Sequence, residues 1–361
     1  MDLIPQIEPW IDENELKHLK RLVDNKYVVE NVLTKEFEQL VKEQTGSKHA
    51  ISVTNGTMAL YCCMVSLGIG PGDEVIVPNL TFIATANSVI MVGAKPVFCD
   101  VDIETMCIDT TRIKGLITKK TKAIIPVHLY GEAADIYTLK SICKENDLFM
   151  IEDAAQGVGV LYDNKHVGTF GDFGILSYYG NKTITCGEGG IILTDDDELA
   201  KKCFRLKNHG REKKGIFIHE HIGFNFSFTE MQAAIGLSQM EKLDRIIERK
   251  KVIHDKYTKE LKDIEDLIPQ KFSKLTQPVH WFTSFLTNKK SELSKFLLDK
   301  NIQTRDFFYP LSLQPCYNIN DEENYNNSVK LYKNGISLPS SYTLTEEQQN
   351  YVIYCIKKFF E

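Results

Sequence analysis

Residues 178–190 read YYGNKTITCGEGG. Lys182 follows two tyrosines and a glycine and precedes glycines at 187, 189 and 190, an odd setting for a solvated surface charge. A lysine amine can form a Schiff base with a carbonyl. Three other stretches carry groups suited to such chemistry. LFMIEDAAQ (148–156) places Asp153 directly behind an apolar run, and a buried carboxylate is costly without a cationic partner. Thr54-Asn55-Gly56-Thr57 follows a strand-like run and opens a helical pattern, where free backbone N–H groups and the helix dipole favour an anion such as a phosphate. Pro78-Asn79-Leu80-Thr81-Phe82 offers an aromatic ring that could lie on a planar ligand. Taken singly, these features also fit a plain turn or a core aromatic.

The elements that must position these groups follow from the pattern. Val- and Ile-rich runs at 50–55, 75–79, 95–102, 122–130, 148–155, 174–179 and 190–196 alternate with helical stretches such as 135–146 and 196–208. Seven such strands predict one large α/β domain with a mostly parallel sheet covered on both faces. In such sheets ligands sit beyond the carboxyl ends of the strands. Gly56, Thr57, Phe82, Asp153, Gln156, Ser177 and Lys182 all fall at those ends. Two helices are expected near 12–24 and 34–45. A long one follows residue 228, capped by Thr229 with Gln232 three residues on. The chain should divide into a large domain over 1–240 and a smaller α+β domain over 241–361, which ends in the amphipathic helix TEEQQNYVIYCIKKFF.

An anion cradle, an aromatic plate, a carboxylate and a lysine on one sheet edge together meet the needs of pyridoxal 5'-phosphate (PLP). At this point the chain resembles the DegT/StrS family of sugar aminotransferases, which have the aspartate aminotransferase-like (type I) fold. The segments that carry the resemblance include SVTNGTMAL, VIVPNLTFIATANSV, PVHLYG, IEDAAQGVG, FGDFGILSYYGNKTITCGEGGIILTDD and GFNFSFTEMQAAIGLSQMEKLD. GNKTIT followed by GEGG is most like the perosamine and viosamine type, which aminates C4 of a nucleotide-linked 4-keto-6-deoxyhexose. The resemblance implies that Lys182 holds the cofactor, Asp153 pairs with the pyridine nitrogen, Gln156 lies near the ring hydroxyl and Phe82 stacks on the ring. Gly56, Thr57 and Ser177 would hold the phosphate, and Asn225 in GFNF would reach the phosphate of a neighbouring subunit, so that a homodimer forms the sites. The donor would be L-glutamate. The chain departs from the family at Ser227 after GFNF, where a basic residue is common, at Pro310-Leu311-Ser312, where PLH is common, and at VVENVLTKEFE (28–38), which replaces a glycine-rich stretch. These positions bear on the acceptor.

Bulk properties narrow the class. A net charge of −6 argues against a general nucleic-acid binder. The acids and proline of MDLIPQIEPW do not make a signal peptide, and no apolar run is long enough to span a bilayer, so a cytoplasmic protein is expected. Nine cysteines without a CxxC pair read as reduced core residues, with no metal site expected. Rival readings are a 3-aminotransferase of the same fold, a non-catalytic regulator or scaffold, and a C3 dehydratase. The dehydratases resemble the family with histidine at the lysine position, and Lys182 opposes that reading.

Overall fold

In the computed structural model, which describes residues 2–213, 215 and 217–361, the central sheet is built from seven strands. They are β1 (His49–Val53), β2 (Glu74–Pro78), β3 (Lys95–Cys99), β4 (Thr121–Ile124), β5 (Phe149–Asp153), β6 (Phe173–Ser177) and β7 (Gly190–Thr194). Their order across the sheet is β1-β7-β6-β5-β4-β2-β3. All run parallel except β7, which pairs antiparallel with both β1 and β6.

Alternation along each strand builds two cores. Ile76, Met150, Leu176, Ile191 and Leu193 face one side, against the helices Val32–Thr45 and Glu230–Glu260. Val75, Val77, Ile151, Ile175 and Ile192 face the other, against the helices Gly56–Ser66 and Ala84–Met91. Successive side chains of a strand point to opposite faces, so a strand covered on both sides must be apolar throughout. That is why these runs read as continuous Val/Ile stretches.

The 31-residue helix Glu230–Glu260 opens with the capping box that Thr229 and Gln232 predict. At 1.5 Å per residue it extends for roughly 46 Å. Ala233, Ala234 and Leu237 pack in the large core, and Ile253 and Tyr257 pack in a third core toward the C-terminus. That third core lies on a four-stranded sheet of Ile268–Pro269, Thr283–Leu286, Gly335–Leu338 and Arg305–Asp306 and on the helix Glu346–Phe360. Ile4 joins it too, through a bridge to Ile302.

The stretch that departs from the glycine-rich pattern has its own anchor. The helix predicted at 34–45 begins at Val32, and its N-cap Asn31 makes no side-chain cap bond. The cap comes from far along the chain. The buried Glu230 carboxylate accepts the backbone N–H groups of Asn31, Leu33 and Thr34 at 2.8–2.9 Å, and the Thr34 hydroxyl at 2.7 Å. A carboxylate at a helix N-terminus both fills the orphan donors and faces the positive end of the dipole. Eight of the nine free cysteines are buried and Cys316 is exposed. Among the described residues no helix is long and apolar enough to cross a membrane.

Candidate active site

The carboxyl ends of β5 and β6 and the start of the helix Gly56–Ser66 enclose a cavity of about 610 Å³. Gly56, Thr57, Phe82, Asp153, Gln156, Ser177 and Lys182 line it together. This volume falls in the usual range for small-molecule and cofactor sites.

One wall is the helix start. Asn55 caps it, its Oδ1 accepting the Met58 N–H at 3.0 Å, which leaves the first backbone donors beside the cavity. A Cβ at residue 56 would stand 3.2 Å from the Ser177 Cβ, so glycine lets this turn lie against the end of β6. The GEGG run serves the same corner. A Cβ at residue 190 would come within 2.4 Å of the Asn55 carbonyl oxygen, so only glycine allows β7 to pass this close. The free N–H groups and the Ser177 hydroxyl make a cradle for a phosphate.

The floor is Asp153. It is 5 % exposed, with Oδ2 accepting the Thr85 hydroxyl at 2.7 Å and Oδ1 accepting the Ala155 N–H at 3.1 Å. Burial pushes its carboxyl up, and the bonds from Thr85 and Ala155 and the charge of Lys182 act against that rise. The adjacent Glu152 points to the other face of the strand. There it accepts His128 Nε2–H at 3.0 Å and the N–H groups of Gly168, Phe170 and Gly171. The His128 tautomer follows from its other nitrogen, Nδ1, which accepts the Ala134 N–H at 3.2 Å. Glu152 thus ties the loop after β5 together, and Asp153 is left to face the cavity.

Lys182 lines the cavity wall as a half-buried residue, and desolvation pushes its amine down to about 8, with the Asp153 charge opposing the fall and Arg305 adding to it. Gln156 has its orientation set by the backbone. Its Oε1 accepts the Tyr130 N–H at 2.8 Å, which leaves the NH2 end as the donor for a ligand. Phe82 is 55 % exposed at the rim, with Phe308 beside it at 5.9 Å between ring centroids. A planar ring could lie on its open face.

Asn225 is not brought into this cavity within one chain. It is exposed, bridges to Asn208 across a short antiparallel contact, and its Oδ1 accepts the Ser227 N–H at 3.4 Å. Sequence reasoning missed Thr85, Trp281 and Arg305, which also line the cavity. Thr85 had a signal: it stands one helical turn beyond Phe82 in TFIAT. Trp281 and Arg305 come from the C-terminal layer, and nothing local marks them. Of the departures, Ser312 is buried and bonded to Asn79, donating its N–H at 2.7 Å and receiving the Asn79 amide at 3.1 Å. Outside the cavity, the exposed Glu212, Glu220 and His221 bring ligand atoms within 4.8 Å of one another.

The residues present fit PLP. The helix start and Ser177 suit its phosphate, Asp153 its pyridine nitrogen, the Gln156 amide its ring hydroxyl, and Lys182 its aldehyde. Two GDP-perosamine synthases are similar over nearly their whole length. The Vibrio cholerae protein is 38 % identical over 99 % of each chain, and that of Escherichia coli O157:H7 is 39 % identical over 100 % of this chain and 99 % of the other. Spr1654 from Streptococcus pneumoniae, solved in its PLP-form, superposes with a TM-score of 0.94 at 26 % identity over 99 % of this chain and 98 % of that one. The sequence profile of one family matches residues 9–357, and the chain belongs to it: the DegT/DnrJ/EryC1/StrS aminotransferase family.

Proposed function

We propose that this aminotransferase moves an amino group from L-glutamate to C4 of a nucleotide-linked 4-keto-6-deoxyhexose, with GDP as the nucleotide, and yields a 4-amino-4,6-dideoxy sugar. The observation that carries the chemistry is the meeting of Lys182 and the buried Asp153 in one cavity beside a helix N-terminus. The likeness to two GDP-perosamine synthases supports the acceptor. The Arg305 guanidinium also lines the cavity and suits a donor that carries carboxylates. The test is a panel of GDP-, UDP- and dTDP-linked 4-keto-6-deoxy sugars with glutamate, read by mass spectrometry. Conversion of the GDP sugar supports the proposal, and a panel in which no sugar gains nitrogen sinks it.

The cofactor, when bound, supplies an aldehyde that accepts an amino group and a protonated ring that withdraws electrons from the reacting carbon. Each protein group then has a defined task. Lys182 holds the cofactor at rest and, once released, is the base that takes the proton from Cα of the donor. A pKa lowered to about 8 keeps a usable share of that amine neutral near pH 7.5. Asp153 keeps a proton on the ring nitrogen, because a buried carboxylate stays charged only with a cation beside it. Thr85 and the Ala155 N–H fix its two oxygens. The helix start and Ser177 bind the phosphate.

The Lys182 amine gives a pH prediction. At pH 7.5 roughly a quarter of amines with a pKa of about 8 are neutral, against on the order of one in a thousand for an ordinary lysine. Only the neutral amine attacks an aldehyde. Uptake of PLP by the apo enzyme, followed by stopped-flow absorbance, should therefore rise tenfold per unit at low pH and level off above about 8. A rise that continues to pH 10 would contradict a lowered pKa.

We also place the protein in the cytoplasm and assign the two-domain division at residue 240. The enzyme acts as a homodimer in which Asn225 completes the partner subunit's phosphate cradle. What supports this is the exposed position of Asn225 and the apolar Phe217, Ile218 and Ile222 exposed shortly before it. Mixing two inactive variants, Lys182→Ala and Asn225→Asp, tests it. One site of a mixed dimer collects both lesions and the other has neither, so activity should return toward about a quarter of wild type. No recovery after demonstrated subunit exchange would mean that Asn225 serves its own subunit or no site.

A further inference from the structure

Trp281 touches the site at two points. Its Nε1–H donates to the Asn181 carbonyl at 2.6 Å, which fixes the peptide immediately before Lys182. Its ring faces the Lys182 amine, with Nζ 4.4 Å from the ring centroid. The indole is itself held from behind. It is 2 % exposed, stacks on Phe282 at 3.9 Å, and lies 6.3 Å from Tyr130. The Tyr130 N–H is the one bonded to Gln156. Gly131 packs so close to the Trp281 segment that a Cβ there would fall 2.1 Å from the Val279 carbonyl oxygen. The Trp281 carbonyl accepts the buried Lys250 amine at 3.0 Å, and the same amine donates to the Ser340 carbonyl at 3.1 Å. Lys250 belongs to the long helix, and Ser340 lies beyond the C-terminal strand Gly335–Leu338.

Lys182 therefore depends on the C-terminal layer for its position. The loop that bears it leaves the end of β6, and the side chain that pins this loop enters from residues just ahead of the strand Thr283–Leu286. A bond to the Asn181 carbonyl sets where the loop backbone lies. An aromatic face beside a desolvated nitrogen favours its charged form, because the ring quadrupole presents negative density there. The two contacts act on different properties: the N–H bond on geometry, the ring face on protonation.

We propose that Trp281 is the positioning residue of the reacting lysine: its N–H holds the lysine loop in register with the cavity, and its ring stabilises the cationic state of the Lys182 nitrogen between proton transfers. This rests on the reading of Lys182 as the reacting amine. It makes docking of the C-terminal layer a condition for a competent lysine, and Lys250 the anchor of that dock.

The two contacts separate in two variants of the cofactor-loaded enzyme. Trp281→Phe keeps a ring face and loses the N–H. Trp281→Leu keeps apolar cover and loses both. Each is measured for kcat, for KM of both substrates, for melting temperature, and for the pH midpoint of the resting enzyme's visible absorbance. For Trp281→Leu the midpoint should fall by about one pH unit, since a nitrogen without the ring gives up its proton more easily. Its kcat should fall by about 10- to 100-fold, with KM within about threefold, because a misplaced base slows proton transfer and leaves substrate binding alone. For Trp281→Phe the midpoint should stay within a few tenths of a unit while kcat falls by about fivefold or more through the lost tether. An unmoved midpoint in a folded Trp281→Leu enzyme overturns the proposal. So does a rise in KM with unchanged kcat. If the leucine variant does not fold, Trp281→Phe decides: lower kcat at an unchanged melting temperature supports the proposal, and wild-type kcat overturns it. Lys182→Ala measured alongside keeps the two readings apart. An active alanine variant sinks the assignment of Lys182, whereas an inactive one with unmoved Trp281 variants sinks only the role of Trp281.

Discussion

Lys182→Ala should lose turnover by on the order of 1000-fold or more and still fold. Among the described residues that line the cavity, Lys182 carries the only amine, and it is lowered to about 8, so no neighbour can take over its two tasks. Arg305 cannot substitute, since a guanidinium stays protonated and makes a poor nucleophile. Lys182→Arg should be equally inactive for that reason. The fold should survive because removing the amine also removes its desolvation cost, and Asp153, which loses the charge of Lys182, keeps its bonds from Thr85 and Ala155. Circular dichroism and melting temperature check the fold, and the rate of amine transfer checks the loss. Wild-type turnover by the alanine variant, with no amine added to the buffer, would remove Lys182 from the mechanism.

The second large effect is Asp153→Asn. Asparagine is nearly isosteric: its Oδ1 can still accept the Ala155 N–H, and its NH2 can donate to the Thr85 hydroxyl, so the pocket should keep its shape. What it lacks is the negative charge that keeps a proton on the ring nitrogen. We expect kcat to fall by about 100- to 1000-fold, the size of losing one preorganised charge interaction made in the transition state. Cofactor affinity should fall by less than about tenfold, because the phosphate cradle and the Phe82 face remain. Equilibrium dialysis of the cofactor and steady-state rates measure the two separately. An unchanged kcat would mean that the carboxylate only fills space.

The site was legible in the sequence where its residues lie at strand ends. Gly56, Asp153, Ser177 and Lys182 each follow a run whose apolar texture announces a strand buried on both faces, and the sheet does the rest. The antiparallel course of β7 was not legible, because Gly190–Thr194 has the same texture as its parallel neighbours. Trp281 and Arg305 were missed for a different reason. They reach the cavity only through the packing of a C-terminal layer roughly a hundred residues away, and no local pattern encodes that contact. The start of the helix at Val32 was likewise set by Glu230, almost two hundred residues later. The hairpin Leu161–Tyr162/Lys165–His166 went unread because its strands are two residues long and pair with Thr276–Gln277 from the far end of the chain. Its turn residues Asp163 and Asn164, both at positive φ, were the only local sign.

The central claim is that nitrogen passes from glutamate to one carbon of a nucleotide-linked keto sugar. The most direct test supplies nitrogen-15-labelled L-glutamate and a GDP-linked 4-keto-6-deoxyhexose to the cofactor-loaded enzyme and locates the label in the product by carbon–nitrogen NMR correlation. The account predicts nitrogen-15 bonded to C4, with the GDP group intact and 2-oxoglutarate formed in equal amount. Label at C3, or glutamate left unconsumed while the sugar is turned over, would contradict it.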